Sequence, residues 1–162
     1  EYISELRLVY ADDYDEALEI LAEGEFSDYK LLDENLNEGT DVTIIATGLM
    51  VERAMQAVEL LKNEGISAAL INMATIKPID KDIILDAAKK TGCIVTAEEH
   101  SIIGGLGSAV SEYLSEAYPT TVLKLGVNDT YGMSGPAAEL LDKFGLRAKD
   151  IAAKAKEAIS LK

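Results

Sequence analysis

From Asp41 onward, short apolar runs alternate with longer stretches whose apolar positions recur every third or fourth residue. Val42-Thr43-Ile44-Ile45-Ala46 is a run of the first kind, ends at Thr47-Gly48, and reads as a central strand with both faces covered. Val51, Ala54, Met55, Val58 and Leu61 follow at helical spacing, with Gly65 as the stop. Ala68 to Met73 repeats the strand pattern. Lys77-Pro78 predicts an extended turn, because the residue before a proline is pushed out of the helical region. Asp80 is placed to cap a helix carrying Ile83, Ile84, Ala87 and Ala88 up to Gly92. Cys93 to Ala97 is a third buried run, backed by a helix through Leu106, Val110 and Leu114 that Pro119 closes, and Thr121 to Val127 is a fourth. Pro136 suits a first helical turn leading through Leu140, Leu141 and Phe144 to a C-cap at Gly145. Asp150 is expected to start a terminal helix through Ile151, Ala155 and Ile159. Strand and helix alternating in this way predict a three-layer α/β/α domain.

Before Asp41 the pattern is weaker. Asp13 and Glu16 have the spacing of a capping pair, and Ala17, Leu18 and Leu21 recur at helical spacing up to Gly24, which predicts a short acidic amphipathic helix. The preceding run, Leu6 to Tyr10, has no clear period. Tyr29 to Leu36 reads as a short edge strand and Asn37 to Thr40 as a turn. The expected organisation is therefore an acidic helical lead-in or linker over 1–28 and an α/β domain over 29–162. A chain that starts at Glu1 rather than Met is expected to be a fragment or a processed product.

Charge changes this picture mainly by exclusion. The net charge is −14 over 162 residues, and the acidity is concentrated at the front: residues 1–41 carry fourteen acids against Arg7 and Lys30. Phosphate attraction needs a basic patch and none is apparent, so nucleic acid is not an expected partner. The acidic front reads as a solvated face. No apolar run approaches the roughly 18 residues of a membrane span, and no secretory signal leads the sequence. The single cysteine, Cys93, precludes a disulfide within the chain and suits a cytoplasmic location.

Candidate chemistry gathers in Cys93 to Val110, CIVTAEEHSIIGGLGSAV, where a buried run turns polar at Glu98-Glu99-His100 and glycines open the next helix. Ligands of α/β folds collect outside the carboxyl ends of the strands, so the crevice candidates are Gly48, Glu98, Glu99, His100, Gly104, Gly105 and Gly107. His100 is the only histidine and has no second histidine or cysteine beside it, so it reads as a strand-end residue bonded to backbone or a partner rather than a metal ligand. Adjacent glutamates in extended chain point to opposite faces, which disfavours Glu98 and Glu99 as a paired acid and base. One of them is free to receive backbone N–H groups or a hydroxyl from a neighbouring loop. Gly104-Gly105-Leu106-Gly107 offers an anion cradle or tight packing, but lacks both the GxGxxG spacing and the lysine of a P-loop. Ser108 and Ser111 lack a GxSxG context, and Cys93 reads as an inert core residue. Gly132 to Pro136 is a turn into a helix or a contact loop. No catalytic residue and no metal site is assigned.

The segments EGTDVTIIATG (Glu38 to Gly48), INMATIKPID (Ile71 to Asp80), VTAEEHSIIGGLGSAV (Val95 to Val110) and LGVNDTYGMSG (Leu125 to Gly135), followed by ELLDKFGL, resemble the C-terminal domain of transketolase, in order, over roughly residues 38 to 160. Deoxyxylulose-phosphate synthase and the beta subunit of oxo-acid dehydrogenases share the domain type. The resemblance implies a mixed five-stranded sheet with one antiparallel edge strand. It also implies an enzyme transferring two-carbon ketol units, in which thiamine diphosphate and Mg2+ bind between pyrimidine- and pyrophosphate-binding domains. Neither of those patterns is present here, so this chain is expected to bind no cofactor alone, to help build a homodimer, and to be inactive in isolation. The alternatives are the corresponding domain of a related thiamine enzyme, or a stand-alone small-anion-binding or interaction module. Residues 1–28 depart from the family pattern.

Right-handed crossovers then predict the strand order edge, Ala68–Met73, Val42–Ala46, Cys93–Ala97, Thr121–Val127, with Gly48 and His100 at one rim, and the resemblance implies that the edge is antiparallel. Ser101-Ile102-Ile103 and Tyr131-Gly132-Met133 are apolar, glycine-flanked loops and are expected either to form a contact patch or to fold back under the sheet edge as minor core.

Overall fold

The computed structural model describes residues 33–162. The expected helix after Asp13, the run Leu6 to Tyr10 and the boundary between 28 and 29 lie outside the described residues. Strands β1 (Glu34–Asn37), β2 (Val42–Ala46), β3 (Ala68–Asn72), β4 (Cys93–Ser101) and β5 (Thr121–Val127) form one sheet in the order β1-β3-β2-β4-β5. β1 is antiparallel to β3, and all other pairs are parallel. The order and the antiparallel edge are those expected from the sequence. The described part of the edge strand ends one residue later than expected, at Asn37, because Asn37 pairs with Leu70 past a bulge and its side-chain amide donates to Ala68 O at 2.7 Å.

Helices α1 (Met50–Asn63), α2 (Lys81–Thr91), α3 (Leu106–Ala117), α4 (Ala137–Lys143) and α5 (Ala148–Ser160) connect or follow the strands. Period-2 alternation along the strands sorts the helices into two layers. Val42, Ile44, Ala46, Leu70, Val95 and Ala97 face α1 and α5, through Ala54, Leu61, Ile151 and Ala155 among others. Ile45, Ile71 and Ile94 face α2 and α3, through Ile84, Ala88, Val110 and Leu114. A sheet covered on both faces explains why β2 is apolar at nearly every position and fully buried. Its one polar member, Thr43, is satisfied by Thr91, whose hydroxyl lies 2.8 Å away.

Helix ends follow local chemistry. Asp80 accepts from the N–H groups of Asp82 and Ile83, and Gly92 ends the same helix in the left-handed region at φ 69°. The expected start of the last helix at Asp150 is corrected: α5 begins at Ala148, with Arg147 as N-cap and Asp150 as its third residue. Asp150 Oδ2 accepts from the Arg147 N–H at 3.0 Å, while the guanidinium donates to both carboxylate oxygens at 2.7 and 3.1 Å. The Arg147 hydrogen bonds hold the Asp150 carboxyl below its ordinary value against the opposing effect of burial. A folded-state value below the unfolded one gives stability that is present above the ordinary carboxylate range and lost as pH falls through the folded value. Asp150→Asn is therefore expected to be less stable than wild type at neutral pH, with the gap closing below about pH 4. Urea melts of both proteins at neutral and acid pH check this. A constant gap would contradict it.

Candidate functional site

β4 does not stop at Ala97, as its apolar run predicts. It continues to Ser101, and the polar residues Glu98, Glu99 and His100 form an irregular stretch in its ladder with β5. Ala97 pairs with Leu125 and Ser101 with Val127, so three residues of β4 stand against the single residue Gly126. Bulges of this kind re-aim side chains at strand ends. Gly126 is where the backbones approach: a β-carbon added there would lie 2.7 Å from the His100 carbonyl oxygen.

The stretch sends its three side chains to different fates. Glu98 is only 1% exposed, whereas Glu99 and His100 face solvent. The Glu98 carboxylate accepts from the N–H of Leu106 through Oε2 and from the N–H of Gly107 through Oε1, both at 2.8 Å. These are donors of the first turn of α3, left without partners inside the helix and carrying the positive end of its dipole. Hydrogen bonds to an ionised acceptor are each worth about 1.5–3 kcal/mol, more than neutral ones. Glu98 is thus the glutamate that the sequence leaves free to receive backbone N–H groups. The anion-cradle reading of Gly104 to Gly107 is corrected in one respect: these two donors are already taken by the chain's own carboxylate.

The loop between β4 and α3 is held just as firmly. Ile102 N donates to Val127 O at 3.0 Å, and Ser101 Oγ accepts from Ile103 N at 3.1 Å. Ser108 Oγ accepts from Gly104 N at 2.9 Å and donates to Ile102 O at 3.3 Å. Gly104 has φ 80°, a conformation that a side chain disfavours. His100 Nδ1 lies 3.1 Å from the neighbouring Ser101 carbonyl oxygen. Gly48, at φ 58°, is exposed in the turn after β2. The N–H of Thr47 donates to Ala97 O at 3.3 Å, tying that turn to β4.

Gly48 and His100 therefore share one rim of the sheet, but no reactive constellation joins them. Among the described residues no group of three or more His, Cys, Asp or Glu side chains is placed to hold a metal ion. Two hollows, of about 360 and 310 Å³, lie elsewhere: one beside Asn37, Val58, Lys62 and Ser67, the other beside Asn35, Thr43, Ile83 and Lys90. Cys93 is buried, and burial pushes its thiol upward, as befits an inert core residue.

What the rim does present is apolar surface. Ile103 is 63% exposed, Tyr131 98% and Met133 43%. All three belong to loops that follow the carboxyl ends of β4 and β5. The sequence-predicted patch is divided by the structure: Ile103 points outward, whereas Ile102 is half-buried, with its Cγ2 3.0 Å from where a β-carbon on Gly126 would stand.

The family model described as "Transketolase, C-terminal domain" matches residues 34–151. The chain is 49% identical over 122 residues to the 6-deoxy-6-sulfo-D-fructose transketolase subunit of Clostridium sp. (strain MSTE9), covering 75% of this chain and 38% of that protein. It is 44% identical over 125 residues to 1-deoxy-D-xylulose-5-phosphate synthase of Heliobacterium modesticaldum, covering 76% of this chain and 19% of that one. A solved structure described as a split gene transketolase, inactive beta4 tetramer, matches with a TM-score of 0.77 at 52% identity, over 80% of this chain and 43% of that chain. The chain thus spans well under half the length of these relatives.

Proposed function

The chain belongs to the transketolase C-terminal domain family, and from that premise we propose that it is the structural and assembly domain of a transketolase-like enzyme. In this reading the complete enzyme transfers two-carbon ketol units between sugar phosphates, and its chemistry resides in pyrimidine- and pyrophosphate-binding domains on the same or a separate chain. The single observation that carries the reading is the strand-end rim, where the β4–α3 loop is pinned by Glu98 and where Ile103, Tyr131 and Met133 are exposed. Exposed apolar patches larger than a few hundred Å² mark contact surfaces, and these three side chains lie in the loops that follow two adjacent strands. The partner is a second copy of this chain or a cofactor-binding domain, and the working form is a cytoplasmic homodimer.

Thiamine diphosphate and Mg2+ belong to the complete enzyme in this proposal. The residues described here do not fit them. A cation-bound diphosphate needs converging carboxylates and free N–H donors, and the donors at the start of α3 are engaged by Glu98. Titrating the isolated chain with thiamine diphosphate and Mg2+ by calorimetry is expected to give no saturable heat, and micromolar binding would overturn the reading. Adding the chain to the thiamine-binding domains is expected to restore ketol transfer that neither shows alone. Similarity to the Heliobacterium synthase supports a second reading, in which the same mixture forms deoxyxylulose phosphate instead. The product formed separates the two.

A further inference from the structure

We propose that Lys124 guards the open edge of the sheet: its charge, carried on the inward side of β5, keeps that strand from accepting a strand of another chain. The inference goes beyond the assembly role and holds whichever partner covers the rim. The two edges of the sheet differ. β1 has four residues, all exposed, carries Glu34, Asn35 and Asn37, and is bent by a bulge. Short, polar, irregular edges of this kind pair poorly with other chains. β5 has seven residues, Thr121–Val127, with no proline, and among the described residues no strand lies on its outer side. Unpaired backbone groups along such a strand are a template for a further one. Lys124 is its only charge and stands at its centre.

The side chain sits where an edge charge acts most strongly. Leu123, Leu125 and Val127 pack with the layer of α1 and α5, and Val122 with the layer of α2 and α3. Alternation therefore puts Lys124 on the α2 and α3 side, at a position where a covered sheet calls for an apolar residue. Its stem supplies one. Cγ and Cδ lie against the first turn of α3, 2.8 and 2.9 Å from where a β-carbon on Gly107 would stand, so Gly107 makes the room. The ammonium lies 3.4 Å from Ser108 Oγ, the residue is half-buried, and among the described residues it forms no ion pair. A long side chain placed this way covers apolar surface with its methylenes while its head keeps water. A strand laid along β5 would close over that head, and stripping water from an unpaired ammonium opposes association. An inward charge on an edge strand therefore costs the single chain little and a joined pair of sheets much.

The test compares the full 162-residue chain with its Lys124→Met variant, which keeps the stem and removes the charge. In sedimentation at matched concentration and ionic strength, Lys124→Met is expected to self-associate about tenfold more tightly than wild type, with a melting temperature no lower. Amide exchange locates the new contact. The β5 amides that point away from β4 are expected to slow about tenfold in the associated variant, relative to amides in α1. Association through the rim alone would leave those amides unchanged, so the two contacts are told apart. Lys124→Arg, which keeps the charge, is expected to behave as wild type, and tighter association by it overturns the proposal. So does a Lys124→Met variant that associates no more tightly than wild type, or that associates without added protection in β5. If Lys124→Met precipitates or fails to fold, Lys124→Gln is read by the same two measurements, with the same outcomes for and against.

Discussion

Gly105→Ala is expected to lower the melting temperature by about 10 °C, and Gly104→Ala by about half as much or less. The two glycines are neighbours, yet they are required for different reasons. Gly105 has φ −101° and ψ −152°, extended backbone that any residue adopts, so the cost there is one of space. A β-carbon would lie 1.9 Å from Glu98 Oε2 and 2.9 Å from its Cδ. A flexible surface carboxylate would swing aside. This one is 1% exposed and is held by two N–H donors, so it moves only by giving them up. Overpacking costs roughly 1–3 kcal/mol, and each charged hydrogen bond lost adds about 1.5–3 kcal/mol. A total on the order of 4 kcal/mol corresponds to roughly 10 °C at about 2–4 °C per kcal/mol. Gly104 has no atom within 4 Å of its would-be β-carbon, but its φ is +80°. Alanine there meets only backbone strain, about 1–2 kcal/mol. Thermal melts followed by circular dichroism rank the two variants. Equal losses would mean that Glu98 yields readily and is not a fixed anchor.

That anchor was only half legible in the sequence. The strands β2 and β3 and the first half of β4 declare themselves through largely apolar runs, because both faces of the sheet are covered. Asp80 and Gly92 declare the ends of α2 by capping chemistry that acts within a few residues. The irregular pairing at Glu98 to His100 does not declare itself, because it is a relation between β4 and Gly126, more than twenty-five residues away. Polar residues after an apolar run resemble a strand end, whereas here they continue the strand. Ile102 and Ile103 read as equivalent in sequence but differ in the fold, because Ile102 is tied to the Val127 carbonyl and packs toward Gly126 whereas Ile103 lies outward in the loop. For the last helix, Asp150 has an N-cap's composition but serves as the third residue, and the N-cap is Arg147, a residue type with no such preference. The expected crevice shows the limit of the same logic. Chain topology places Gly48 and His100 on one rim, but nothing local makes their side-chain neighbourhoods converge.

Ile103→Glu combined with Tyr131→Glu is expected to weaken self-association of the chain about 100-fold while moving the melting temperature by no more than about 2 °C. Ile103 is 63% exposed and Tyr131 98%, so neither contributes appreciably to the isolated fold. Removing each from water in an interface is worth about 1.5–3 kcal/mol, and 1.4 kcal/mol is a factor of ten in affinity, so losing both gives at least 100-fold. The added carboxylates oppose association further, since the chain already carries a net charge of −14 and two copies repel. Ile102→Glu is the internal contrast. Its side chain packs toward Gly126 under the loop, so a buried charge there is expected to lower the melting temperature rather than act on association alone. Sedimentation velocity across a concentration series, paired with thermal melts, separates the outcomes. A wild type that remains monomeric at high concentration removes the second copy as the partner and leaves the cofactor-binding domains to cover the rim. A double variant that unfolds shows that the loops belong to the core. The sharpest support would be a double variant that melts like wild type, sediments as a monomer, and fails to complement the thiamine-binding domains, because then one surface serves both assembly and activity.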